Sequence, residues 1–155
     1  FPDIVRLYGQ DIAQFRKKMQ KWYNSMALLT YALCLPVTFF APYIITLLFG
    51  EDYRESGYIL SLLIWGAAFV NLGVPRNAYI YSYGYYRLQF EINMTSCVLN
   101  ILLNFLLIPS YGAFGATAAT LISYSYASFF SNFVYRRIRE NGWMMLRAAI
   151  NPRIY

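Results

Sequence analysis

Three long stretches of this 155-residue chain carry no charged side chain, and they limit what it can fold into. These stretches are residues 22–50, 56–75 and 92–135. A helix that crosses the hydrocarbon core of a bilayer needs about 20 predominantly apolar residues. The first two stretches fit one crossing each, whereas the third is twice too long and contains the helix-breaking sequence Ile108-Pro109-Ser110-Tyr111-Gly112. We predict an all-α polytopic membrane helix bundle with four spans, at about 24–49, 56–82, 88–108 and 113–135.

The composition agrees with a membrane protein and removes several classes of chemistry. Hydrophobic residues make up 59% of the chain and charged residues 13%, whereas a soluble domain averages about 45–50% and about 25%. The chain has no histidine, which excludes histidine-based acid–base catalysis and histidine-ligated metals. Cys34 and Cys97 have no metal-binding or redox spacing. The spans offer no carboxylate pair, so we expect neither an enzyme nor a cofactor, and no nucleotide-binding P-loop is present.

The basic residues frame the predicted spans and indicate a topology. Segments 1–21, 83–87 and 136–155 share one side of a four-span arrangement and hold eleven Lys and Arg residues, whereas the other side holds only Arg54. Because positive residues stay in the cytoplasm, we expect both ends of the chain there, in a bacterial inner membrane. The charges do not form one groove, so a nucleic-acid partner is not expected.

The segments outside the spans have their own patterns. Residues 1–23 predict an amphipathic helix on the cytoplasmic surface, with an apolar stripe that includes Ile12, Phe15 and Met19. Residues 136–155 form a basic cytoplasmic segment, within which residues 143–150 have the composition to begin a further helix. Because the chain begins with Phe1 rather than methionine, we expect it to be a piece of a longer protein.

Polar residues within the predicted spans are the candidate site. Arg76 lies between Asn71 and Asn77 on the second span, and it either snorkels to the headgroups or lines a polar cavity. The third span has a polar stripe that either holds helices together or lines a hydrated path. This stripe consists of Asn93, Cys97, Asn100 and Asn104.

The fourth span has a ribbon of small residues four apart, which predicts close packing against another helix. The ribbon consists of Gly115, Ala119, Ser123, Ala127 and Ser131.

Several blocks of sequence resemble one known family. VLNILLNFLLIP at residues 98–109, followed by YGAFGATAATLISY at 111–124, closely resembles a block of the bacterial polysaccharide-export flippases. Phe1-Pro2 and the LLFG at 47–50, with Tyr53 and Ser56, resemble shorter motifs that occur in the same order. The chain therefore resembles the C-terminal half of a multidrug/oligosaccharidyl-lipid/polysaccharide exporter.

The resemblance implies a fold and a function. Such exporters have twelve to fourteen spans in two lobes around a central cavity, and this chain would form part of the second lobe. They move undecaprenyl-pyrophosphate-linked oligosaccharides to the outer leaflet for export of capsule, O-antigen or other polysaccharides. Arg76 would then attract the pyrophosphate, and the asparagine stripe would bind sugar hydroxyls. The partners would be the lipid-linked oligosaccharide, the bilayer and the remaining lobe.

Two alternative functions remain open. A drug/cation antiporter of the same superfamily needs an acidic residue in a span, and the candidate nearest to one is Glu91. A non-transporting tetraspan scaffold would explain the small-residue ribbon but would leave Arg76 and the asparagine stripe without a role.

Overall fold

The structure, a computed structural model, describes residues 11–152, and this part of the chain contains helices and no strand. Three helices are long and apolar enough to cross a membrane. These findings confirm an all-α membrane helix bundle. The α-helices are α1 (Ile12–Phe49), α2 (Arg54–Ser82), α3 (Tyr86–Ser125), α4 (Ser131–Val134) and α5 (Arg139–Ile150). Two short 3-10 helices (Glu51–Tyr53 and Arg136–Ile138) and a π-helix (Tyr126–Phe130) connect them.

Helix α1 is longer than a membrane crossing requires. Its 38 residues extend about 57 Å, against a hydrocarbon core of about 30 Å. The side chain of Asp11 caps its first turn by accepting hydrogen bonds from the backbone N–H groups of Ala13 and Gln14, at 2.9 and 3.0 Å. The helix also continues through Pro42, which cannot donate to the carbonyl of Thr38. The hydroxyl of Ser61 on α2 donates to that carbonyl instead, at 3.0 Å.

The predicted surface helix at 1–23 differs from the structure where the two overlap. Residues 12–23 are the first turns of α1 and run into the first predicted span without a break. Phe15 and Met19 lie on one face, as the periodicity predicts, but both are fully buried in the protein core. A periodic pattern identifies the apolar face of a helix and not what covers it, which here is protein rather than lipid. Residues 1–10 lie outside the described part.

Helix α3 contains the predicted break. Gly112 has a φ of 53°, a left-handed conformation that glycine adopts without strain. The hydroxyl of Ser96 donates to the carbonyl of Ser123 at 2.9 Å, although a straight helix would separate these residues by about 40 Å. The chain therefore reverses near Gly112 into a first arm (86–111) and a second arm (113–134). We propose that each arm crosses the membrane separately, which gives the four spans predicted.

Several segments meet at one end of the bundle, which we call the basic end. The ring of Phe15 contacts those of Tyr79 and Tyr83, with centroids 5.9 and 6.1 Å apart. Arg16 forms an ion pair with Glu140 on α5, at 2.6 Å. The described parts of the basic segments 1–21, 83–87 and 136–155 therefore lie together, and residues 143–150 lie within α5.

We expect the same substitution to have opposite effects at two glycines of the bundle. A Cβ atom on Gly115 would lie 2.5 Å from the carbonyl oxygen of Leu107 in the first arm, whereas one on Gly66 would meet Leu121 and Tyr124 at an ordinary 3.6 Å. Gly115→Ala should therefore destabilise the protein by about 1–3 kcal/mol. Gly66→Ala should be neutral or stabilise it by up to about 1 kcal/mol. Thermal unfolding of the purified variants measures the difference, and equal stability would contradict the tight reversal near Gly112.

Candidate functional site

Arg76 is the centre of a buried polar network. Its side chain is only 2% exposed and lies between α2, α3 and α4. Nη1 donates to the side-chain oxygen of Gln89 at 2.9 Å and to that of Asn77 at 3.2 Å, and Nη2 donates to the hydroxyl of Ser131 at 3.0 Å. All three acceptors are neutral, so the guanidinium is hydrogen-bonded but not neutralised.

The charge of Arg76 has no acidic partner within residues 11–152. The ion pairs there join other residues, and the buried Nε atom of Arg76 has no hydrogen-bond partner. An unpaired charge in a buried site is costly. Ionisable groups retained at such positions in membrane proteins usually mark a function.

The π-helix at Tyr126–Phe130 positions the third partner of Arg76. A π-helical turn shifts the phase of the residues that follow it, and its carbonyls lose their usual donors. The hydroxyl of Ser131 donates to the carbonyl of Ala127 at 2.9 Å, and the amide of Asn132 donates to that of Ser128 at 2.7 Å. Both residues are fully buried. The turn thus places two adjacent polar side chains inside the bundle.

Gln89 connects the buried charge to an open groove. Its amide nitrogen donates to the side-chain oxygen of Asn93 at 3.0 Å, and Asn93 borders a groove of about 350 Å³ between the two arms. Asn104 donates to the side-chain oxygen of Asn100 at 3.0 Å, which continues the polar surface along the first arm. The groove is lined by Asn93, Ser96, Cys97, Asn100, Thr120, Ser123, Tyr124 and Ala127.

Comparison with known proteins identifies the family. A family model described as lipid II flippase MurJ matches residues 1–152. This chain belongs to the lipid II flippase MurJ family. The capsular polysaccharide biosynthesis protein CapF of Staphylococcus aureus is 32% identical over 95 residues, which cover 61% of this chain and 24% of that relative. These matches confirm the resemblance to a polysaccharide-type flippase, and the chain spans about a quarter of the length of this relative. No solved structure matches the chain.

The structure of this MurJ-family chain separates the predicted site residues into three groups. Asn77 belongs to the Arg76 network, while Asn93 and Asn100 line the groove. Asn71 instead donates to the hydroxyl of Thr30 on α1 at 3.2 Å, so it holds two helices together.

Arg76 is buried, and its Nη atoms bond inside the bundle rather than at the headgroups. Its role at a transport cavity stays a prediction. The sequence placed Asn77 beside Arg76 but did not show how deeply Arg76 is buried.

The small-residue ribbon lies along the seam between the arms. Gly115, Ala119 and Ser123 are buried, and Ala127 is half-buried beside the groove. The ribbon packs against the first arm, at Leu107 for Gly115 and at Ser96 for Ser123. Ser131 continues the spacing of the ribbon, but its hydroxyl accepts a hydrogen bond from Arg76. Gln89 was missed from the sequence, although it precedes Asn93 by four residues and so extends the same face of the helix.

A second buried polar chain joins α1 to α5 in this MurJ-family fold. The hydroxyl of Tyr23 donates to the side-chain oxygen of Asn141 at 2.7 Å, and the amide of Asn141 donates to that of Asn132 at 3.1 Å. Since Asn132 follows Ser131 directly, this chain begins next to the Arg76 network. Nothing in the local sequence around Asn132 or Asn141 marks them as buried.

Proposed function

We propose that the full-length protein is a flippase for a lipid-linked saccharide in the bacterial inner membrane. Its substrate would be an oligosaccharide joined through pyrophosphate to undecaprenol, supplied for capsule, O-antigen or cell-wall polysaccharide. The family model is named for lipid II, and the relative CapF is named for capsular polysaccharide biosynthesis. The first name is that of a transporter, and the second refers to polysaccharide biosynthesis.

One observation supports this function most: a polar path that runs through otherwise apolar helices. It starts at the unneutralised guanidinium of Arg76, passes Gln89 and reaches the groove at Asn93. A sugar-pyrophosphate headgroup carries negative charge and many hydroxyls, and taking such groups into hydrocarbon without partners costs several kcal/mol each. A positive charge and asparagine amides at membrane depth lower that barrier, while the polyprenyl tail stays in lipid.

The transport cycle needs more of the protein than this chain. We propose that the groove faces the remaining lobe, so that the headgroup passes between two lobes that rock against each other. The termini of this chain would then lie in the cytoplasm, as the excess of Lys and Arg at the basic end favours. An ion gradient, the membrane potential or the substrate gradient would drive the cycle.

The two alternative functions have less support. Glu91, the acidic residue considered for a drug/cation antiporter, is partly exposed near the start of α3 and is paired with Arg87 at 3.4 Å. It therefore lies at the basic end rather than in the path. A scaffold would need neither an unneutralised charge at the centre of the bundle nor a polar groove connected to it.

Cys97 provides a test that places the substrate at this groove. It is a free, exposed cysteine in the groove, whereas Cys34 is buried. In the full-length protein, with any further cysteines replaced by serine, a membrane-permeant maleimide should label Cys97 and spare Cys34. A saturating lipid-linked oligosaccharide should slow the labelling of Cys97 severalfold, as mass spectrometry would show.

The matched control places the reporter at the opposite end. Tyr53→Cys in a Cys97→Ser background puts an exposed thiol beyond the end of α1, where the substrate should not alter labelling. Protection of both positions would indicate a general change in the membrane. If saturating substrate leaves the labelling of Cys97 unchanged, the groove does not hold the headgroup.

A further inference from the structure

The basic end contains a second cleft that the proposed transport path does not use. It lies between the start of α3 and the 3-10 helix after α4, and its volume is about 400 Å³, within the range of about 300–1,000 Å³ typical of pockets that hold small molecules. It is lined by Arg87, Leu88, Glu91, Val134, Tyr135, Arg136 and Arg137.

The cleft has a net positive charge. Three arginines face one acidic residue, and Glu91 is already paired with Arg87, from Nε to Oε1 at 3.4 Å. Arg136 and Arg137 form no ion pair within residues 11–152. The guanidinium of Arg137 lies 6.0 Å from the centre of the Tyr85 ring, a cation–π contact that keeps it beside the cleft. Two guanidinium groups are therefore available to an anion.

The cleft lies at the membrane boundary, where lipid headgroups are located. Arg87 precedes the uncharged stretch 92–135 and Arg136 follows it directly, so the arginines mark one boundary of the hydrocarbon region. Val134, which is 62% exposed, continues the cleft toward the apolar surface of the bundle. A ligand that fills the site should have an anionic group at the arginines and an apolar part along Val134.

We propose that this cleft binds the phosphate of an anionic glycerophospholipid from the leaflet at the basic end. Guanidinium groups pair with two oxygens of one phosphate. The acyl chains lie along Val134 in the membrane. Two other ligands with the same phosphate chemistry fit less well. A soluble phosphate has no apolar part to contact Val134. The substrate pyrophosphate would have to approach from the membrane boundary rather than through the groove of Asn93 and Asn100.

The test measures lipid binding to the full-length protein in detergent by native mass spectrometry. Phosphatidylglycerol and the zwitterionic phosphatidylethanolamine serve as the two probes. Arg136→Gln combined with Arg137→Gln should weaken phosphatidylglycerol binding by roughly tenfold or more, since each basic residue near an anionic lipid contributes strongly. Binding of phosphatidylethanolamine should not change. Arg87→Gln changes the opposite wall of the cleft and should weaken phosphatidylglycerol binding as well, so two independent variants test the site.

The control removes the same charge elsewhere at the basic end. Lys17 and Lys18 are exposed on α1 and do not line the cleft, so Lys17→Gln with Lys18→Gln should have a much smaller effect. If both double variants lose phosphatidylglycerol binding equally, general surface charge explains the binding and the proposal is overturned. Displacement of phosphatidylglycerol by soluble pyrophosphate would also overturn it, because the cleft would then be a subsite for free or substrate diphosphate.

Discussion

Arg76→Met should abolish flipping by the full-length protein while its thermal stability stays the same or rises slightly. Methionine is unbranched and apolar, so it fills the space of the arginine stem without a charge, although it does not reach the position of the guanidinium group. Arg76 lies six residues from the end of α2, so its charge costs at most the roughly 2.5–3.5 kcal/mol of an arginine at the centre of a membrane helix, and no acidic residue offsets this cost within residues 11–152. Its removal leaves acceptor oxygens of Gln89 and Ser131 without their donor, at about 1–3 kcal/mol for a buried group. The two effects nearly cancel.

The prediction separates a functional charge from a structural one. Arg76→Lys keeps the charge but loses the planar fork that reaches Gln89 and Ser131 together, so it should retain part of the activity. If Arg76 were needed only for folding, Arg76→Met would accumulate poorly or melt at a clearly lower temperature. Full activity of Arg76→Met at normal abundance would show that transport does not need this charge.

Asn141→Ala should destabilise the protein more than Arg76→Met does. Asn141 is fully buried, and alanine would leave the hydroxyl of Tyr23 and the amide oxygen of Asn132 without their partner. Unsatisfied buried groups and the remaining cavity together cost about 2–4 kcal/mol. We expect a lower melting temperature in detergent and faster tryptic cleavage after Arg147, because α5 is released from α1.

The neighbouring residue offers a matched control for this interface. Glu140→Ala breaks the ion pair with Arg16, which joins the same two helices at the surface. Exposed ion pairs contribute about 0–1 kcal/mol, so this variant should melt close to the wild type. The melting temperature of Tyr23→Phe should lie between those of Asn141→Ala and Glu140→Ala, since this substitution removes one hydroxyl and creates little cavity. If Asn141→Ala and Glu140→Ala melt at the same temperature, the buried polar chain does not hold α5 in place.

Local signals in the sequence predicted much of the fold. The uncharged stretches became membrane-length helices, and Pro109 with Gly112 identified the reversal within the third, because both residues act on the backbone directly. Steps of four and three from Asn93 to Asn100, and steps of four from Gly115 to Ser123, identified the two faces that form the groove and the seam. These properties depend on residues near each other along the chain.

Two of the three partners of Arg76 depend on tertiary structure and could not be predicted from local signals in the sequence. Gln89 and Ser131 lie 13 and 55 residues from it, and no pattern relates residues at those distances. The π-helix that turns Ser131 inward has an ordinary sequence, Tyr-Ala-Ser-Phe-Phe. The periodicity placed Phe15 and Met19 on one face, but it could not show that protein covers this face, because the other members of the core cluster come from distant helices such as α2 and α5.

The most direct measurement is the rate at which the full-length protein moves a lipid-linked oligosaccharide across the membrane of proteoliposomes. A fluorescent pyrophosphate-linked substrate would report the transfer through a quencher that cannot enter the vesicle. We predict rapid transfer with the wild type, partial transfer with Arg76→Lys, and no transfer above empty liposomes with Arg76→Met. Transfer by the wild type that does not exceed empty liposomes would contradict the flippase function, and equal rates for the wild type and Arg76→Met would contradict the role of Arg76 in it.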